Sequence, residues 1–180
     1  MNLTDAELLL LGLVAEMPRH GYEIEHALET RGMREWTQIG FSSIYFVLGK
    51  LEKAGLVLAA APAGTKARKT FSITAAGNRV LLAQTVAALQ TYRPTYSTLL
   101  LGMIHWPALS RDEALAALDG RLSSITAEIA RLENLRRQRQ PMPDHIEALF
   151  DFSASQLAAE RSWITNTLDY MRSKPWPTQE

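Results

Sequence analysis

The chemistry-bearing side chains of this sequence concentrate between Phe41 and Gly55, which reads F-S-S-I-Y-F-V-L-G-K-L-E-K-A-G. Wound as a helix, Ser42, Ser43, Tyr45, Phe46, Gly49, Lys50 and Lys53 share one side, and Ile44, Val47, Leu48, Leu51 and Ala54 share the other. Hydroxyls, a phenol and two ammonium groups on one face suit a line of phosphates better than a small substrate. Lys66, Arg68 and Lys69 follow directly. From Ser42 to Arg79, six basic residues oppose Glu52 alone, a local charge of +5 in a chain whose formal net charge is zero. Double-stranded DNA is the partner this arrangement implies. Phosphate contacts would position the protein, and base-edge contacts would specify sequence. Lys50, Lys53, Lys66, Arg68 and Lys69 are candidates for the first task. Ser42, Ser43 and Tyr45 sit at the helix N-terminus, which can contact base edges or accept a phosphate. Phe46 reads instead as a staple packing on Phe41.

Other chemistries find little support. His20, His26, His105 and His145 include no i, i+4 pair, and no cysteine or carboxylate cluster joins them, so no metal site is expected. No G-x-S-x-G elbow, phosphate loop or dinucleotide glycine fingerprint occurs, and no catalytic residue or cofactor is assigned. The absence of cysteine rules out disulfides and suits a reducing cytoplasm. No apolar run reaches membrane-spanning length, and no signal-peptide pattern opens the chain.

The elements that must position the basic face are legible around it. Thr4-Asp5-Ala6-Glu7 is a capping box opening an almost wholly apolar helix that Pro18 ends. A second helix spans about His20 to Arg31, and Gly32 stops it. The third starts with Ser42 as N-cap and ends at Gly55 as a left-handed cap. Two apolar runs around Pro62-Ala63-Gly64 predict a hairpin with Lys66, Arg68 and Lys69 near its tip. Thr74 then caps a helix reaching about Tyr92. The order is helix, helix, helix, hairpin, helix, with a helix-turn-helix in the second and third.

The C-terminal part differs in kind. Ser110-Arg111-Asp112-Glu113 is a further capping box, and Asp144 to Glu147 reads as one more. Leu115, Leu118, Leu122, Ile125, Ile129 and Leu132 recur at alternating spacings of three and four, an a/d heptad seam. The seam could pack within one subunit or pair with its copy. The homodimer is the expected reading, because one helix-turn-helix has a small footprint and dimers read paired half-sites. Trp36, Tyr92, Tyr96, Met103, Trp106 and Trp163 are candidates to line a pocket for a small effector. The domains expected are 1–92 for DNA binding and 93–174 for helical dimerisation, with 175–180 a flexible tail.

Leu10-Leu11-Gly12-Leu13, Pro18, His20-Gly21-Tyr22-Glu23, Ser43-Ile44-Tyr45, Leu48, Leu51-Glu52, Ala54-Gly55-Leu56 and Thr74-Ala75-Ala76-Gly77 resemble, in order and spacing, the PadR family of transcriptional regulators. That resemblance implies a mainly α fold, with an N-terminal winged helix-turn-helix of three helices plus a β-hairpin wing and a C-terminal helical dimerisation domain. It implies a homodimeric repressor, often released by a small aromatic effector. On the family's pattern Ser43 and Tyr45 lie on the recognition helix, and Lys66, Arg68 and Lys69 on the wing. Members commonly carry Gly before the Ser-Ile/Leu-Tyr triplet and Pro after it, where this chain has Ser42 and Phe46. The rival function is a winged-helix interaction module whose basic face meets an acidic protein.

Overall fold

Thr4 caps α1 (Asp5–Glu16): its hydroxyl accepts from the Glu7 N–H at 3.3 Å, and the Glu7 carboxylate accepts from the Thr4 N–H at 2.8 Å. This helix carries Leu10, Leu11, Leu13 and Val14, all buried, so it runs through the middle of the first core rather than along its surface. The computed structural model describes residues 2–33, 36, 40–60 and 69–176, with Phe41 and Ser42 described by backbone alone. The chain divides into two units, Met1–Pro94 and Thr95–Glu180.

In the first unit a two-residue strand, β1 (Arg19–His20), leads into α2 (Gly21–Thr30). His20 is the N-cap: its Nδ1 accepts from the Glu23 N–H at 3.2 Å, and Glu23 accepts from the His20 N–H at 2.8 Å. Next come α3 (Phe41–Lys53), β2 (Val57–Ala60), β3 (Thr70–Ile73) and α4 (Ala75–Gln90). The antiparallel sheet has the order β1-β3-β2, with Arg19 opposite Phe71 and Ala59 opposite that same residue on the other side. The sequence reading missed β1, which is too short to show any alternation.

Two predicted helix starts are corrected. Gly40, not Ser42, is the N-cap of α3, so Ser42 is already helical. Pro143 precedes α7 (Asp144–Ser173) with no side-chain cap, so the expected capping box at Asp144 does not form. The end of α3 is as expected: Gly55, at φ +70°, allows its own N–H to reach the Glu52 carbonyl and the Leu56 N–H to reach that of Leu51. Ala54 is exposed at the cap rather than facing the core.

The Leu56 carbonyl then joins three elements. It accepts from the Thr74 N–H at 3.0 Å and from the Thr74 hydroxyl at 3.1 Å. The first turn of α4 lies so close that a Cβ on Gly77 would stand 2.0 Å from this oxygen.

The second unit holds α5 (Thr98–His105), a 3-10 turn (Trp106–Ala108), α6 (Arg111–Gln138) and α7. Ser110 caps α6 through the predicted capping box. The heptad residues divide into two rows. Leu118, Ile125 and Leu132 are buried, whereas Leu115, Leu122 and Ile129 are half-buried. Helix α7 of the same chain packs on α6, and Ile164, Leu168 and Met171 join Leu118 and Ile125 in its core. The seam is therefore at least in part intrachain core. Arg111 ties the ends together by donating to the Met171 and Arg172 carbonyls, at 2.8 and 2.7 Å. Trp176, assigned above to a flexible tail, is docked: its indole N–H donates to the Leu109 carbonyl at 3.2 Å, and its ring lies 6.0 Å from that of Trp106. Residues 177–180 lie outside the described ones. Among the described residues no helix is long and apolar enough to cross a membrane.

Gly77→Ala should lower the urea midpoint of the first unit, by about 1–3 kcal/mol, because the new methyl meets a backbone carbonyl. Gly120→Ala, on α6 with nothing within 4 Å of its Cβ position, should instead stabilise the chain by about 0.5–1 kcal/mol. Equal effects of the two substitutions would contradict the packing described.

Candidate nucleic-acid interface

One face of α3 is fixed by the core. Ile44, Val47, Leu48 and Leu51 are buried, and α1 and α2 both pack against this helix. The opposite face is then forced outward. Ser43, Phe46, Lys50 and Lys53 are all exposed and follow one another at i, i+3, i+7 and i+10, a single stripe down the helix. Gly49 flanks the stripe, with nothing within 4 Å of where a Cβ would stand.

Tyr45 lies off this stripe. Its ring meets that of Tyr22 edge-on at 6.4 Å and covers Gly21, where a Cβ would be 2.5 Å from the ring. The Tyr45 ring thus fills the space that a Cβ on Gly21 would take. Tyr45, 45% exposed, is braced against α2 and turned to the flank of the outward face.

The lysines are held by carboxylates. The Lys50 ammonium lies 3.4 Å from Glu7 Oε1 and 5.3 Å above the Phe46 ring. Lys69, just before β3, lies 2.7 Å from Glu52 Oε2 and 5.5 Å over the Phe71 ring. Glu52, the one acid in the basic segment, therefore ties the base of the hairpin to α3. Both lysines are half exposed, and ion pairs at such exposure are weak enough for a phosphate to displace. Lys53 is exposed at the last turn of α3. Ser43 is exposed in the first turn. The Ser42 side chain, Lys66 and Arg68 lie outside the described residues, as does the Phe41 side chain against which Phe46 was expected to staple. Phe46 itself is 66% exposed and forms no part of the core cluster. The spacing that could have revealed it is in the sequence: Phe46 sits midway between Ser43 and Lys50.

The expected effector residues fall in both units. Trp36 and Tyr92 belong to the first unit, Trp36 half-buried and Tyr92 exposed. In the second unit, Tyr96 is exposed and Trp163 packs against the α6–α7 core. Met103 and Trp106 do come together, lining an apolar hollow of about 260 Å³ with Leu99, Leu109, Leu118 and Arg121. Arg121 is paired there with Glu160. Among the described residues, no group of three or more His, Asp or Glu is placed to hold a metal ion.

Three helices, a hairpin returning beside the third, and a basic stripe on that third helix define a winged helix-turn-helix. Residues 10–83 match the model of the Transcriptional regulator PadR-like family. The solved structures similar to this chain include PadR of Bacillus subtilis in complex with operator DNA, at TM-score 0.73 and 20% identity, covering 92% of this chain and 98% of that one. The same protein in complex with p-coumaric acid matches with the same scores and coverage. A PadR-like transcriptional regulator from Bacillus cereus matches at TM-score 0.66 and 19% identity, over 95% of this chain and 100% of that one. No curated protein matches the chain in sequence.

Glu7 links the core to this face and carries a pH dependence. The Thr4 backbone N–H, chiefly, holds its carboxyl below the ordinary value near 4.5, with the Thr4 hydroxyl and Lys50 adding to it and burial opposing. A carboxylate with a lowered folded pKa contributes stability above the unfolded value and loses it as pH falls through the folded one. The urea midpoint of the first unit should therefore drop below about pH 4.5. Glu7→Gln should cost about 1 kcal/mol at pH 7 and flatten that acid decline; an unchanged acid limb would remove Glu7 from the account.

Proposed function

We propose that this chain is a dimeric, sequence-specific DNA-binding transcriptional regulator of repressor type, released by a small aromatic effector. The observation that carries the DNA-binding part is the outward stripe of α3, with Lys69 of the hairpin fastened beside it through Glu52. A helix held by its apolar face, with polar and basic groups opposite, can enter the major groove while the hairpin reaches an adjacent phosphate. Ser42, Ser43 and Tyr45 would lie toward base edges, and Lys50, Lys53, Lys66, Arg68 and Lys69 along the backbone. The operator complex of the B. subtilis relative supports this reading by analogy of fold.

The division of labour follows: residues 1–92 for DNA and 93–174 for self-association. Support for a dimer comes from apolar surface that the chain does not cover. On α5, Leu100, Leu101 and Ile104 are all exposed, and no residue of this very apolar helix is buried. On α6 the row Leu115, Leu122 and Ile129 is only half covered by α7. For the effector, the hollow beside Met103 and Trp106 offers an apolar wall with Arg121 at its edge, and the relative bound to p-coumaric acid supports the class of molecule.

Binding is tested by salt-dependent titration against duplexes from the chain's own upstream region and against random DNA. Lys69→Ala should weaken binding to both alike and shallow the salt slope by about one unit. Ser43→Ala should cost more on the specific duplex than on random DNA; equal losses would make Ser43 a phosphate contact. No preference of the wild type for any genomic duplex would overturn the regulator reading and favour a protein-interaction module.

Ile104→Asp, placed outside the chain's own core, should shift sedimentation from dimer to monomer with helicity unchanged. A dimer that survives the charge would move the interface off α5.

A further inference from the structure

We infer that Phe46 is a specificity-determining residue that reads the 5-methyl group of a thymine in the major groove; this rests on the DNA-binding reading above. Phe46 is the large apolar side chain at the centre of the outward stripe, one turn beyond Ser43, one turn before Lys50 and two before Lys53. It is 66% exposed and belongs to no core cluster, so burial in the free protein does not account for a phenyl ring there. The Lys50 ammonium sits 5.3 Å from the ring centroid, so the aromatic ring and a cation stand side by side on the stripe. On the flank, Gly49 presents no side chain, and nothing lies within 4 Å of its Cβ position. A groove wall can therefore approach the ring closely. Tyr45, its neighbour in sequence, is turned aside onto Gly21 and Tyr22.

The edge of a thymine offers an apolar group in the major groove, its 5-methyl, and phenylalanine is one of the side chains that contact it. A ring held between a hydroxyl at the helix N-terminus and two ammonium groups toward its end would meet that methyl while its neighbours meet polar edges and phosphates.

The test uses the full chain and a duplex that it selects from a random-sequence pool, with each thymine replaced in turn by deoxyuridine, which lacks only the methyl. At one thymine or a symmetric pair, wild type should lose about fourfold in affinity per methyl removed. Phe46→Ala should bind the thymine duplex correspondingly more weakly and be indifferent to that replacement, while Phe46→Leu keeps part of the discrimination. Thermal melting should be unchanged in both variants, since the ring is exposed. Wild type indifferent to every deoxyuridine, or Phe46→Ala retaining the same penalty, overturns the assignment while leaving specific DNA binding intact. Failure to select any preferred duplex overturns the DNA-binding reading itself, and the assignment with it.

Discussion

Everything on the outward side of the first unit depends on one constraint: α3 is pinned by a single apolar face. Ile44, Leu48 and Leu51 are essentially inaccessible, and they pack with Leu10, Leu11 and Val14 of a central helix that is itself buried nearly all round. Because a helix turns by a fixed angle per residue, fixing these positions fixes the direction of every other side chain on it. Ser43, Phe46, Lys50 and Lys53 point outward for no reason of their own. A slip of one residue in this packing would rotate the stripe by about 100° and bring Tyr45 and Glu52 to the front. The core thus sets the direction of the outward stripe as well as stability.

The hairpin depends on a second, smaller junction. A left-handed Gly55 turns the chain out of α3, and the Leu56 carbonyl takes two hydrogen bonds from Thr74 where β3 gives way to α4. Only a residue without a Cβ can follow at Gly77, because the same oxygen fills that space. The Lys69–Glu52 pair closes the other side. The base of the wing is therefore tied to α3 by backbone bonds and one ion pair. The backbone bonds carry the position, since an ion pair half exposed to water contributes little by itself.

How much of this was legible in the sequence follows from how local each signal is. Thr4, Gly55, Thr74 and Ser110 act on backbone groups within three or four residues, and all four ends of helices were readable. Gly40 was missed because Ser42 has the more usual cap chemistry, while the helix geometry starts a residue before it. The two residues of β1 carry no periodicity. Helix α5 escaped because it spans only Thr98–His105, about two turns, too few to establish a period. Gly21 was visible only as a motif glycine until the Tyr45 ring was found lying on it. Phe46 was assigned to a staple because hydrophobic residues are expected to bury themselves, whereas its ring is 66% exposed and the Phe41 side chain expected to meet it lies outside the described residues.

The heptad seam shows the limit most clearly. A 3-4 spacing of leucine and isoleucine states that a partner helix exists, but not whose helix it is. Within the chain, α7 takes one row, Leu118, Ile125 and Leu132, and leaves Leu115, Leu122 and Ile129 half covered. A single neighbouring helix can cover only one side of an apolar stripe this wide. An intrachain hairpin and an intermolecular contact are therefore not competing uses of the same residues. The row that α7 buries gives the second unit its own core, and the half-buried row beside it, like the exposed leucines of α5, keeps apolar surface that α7 does not cover.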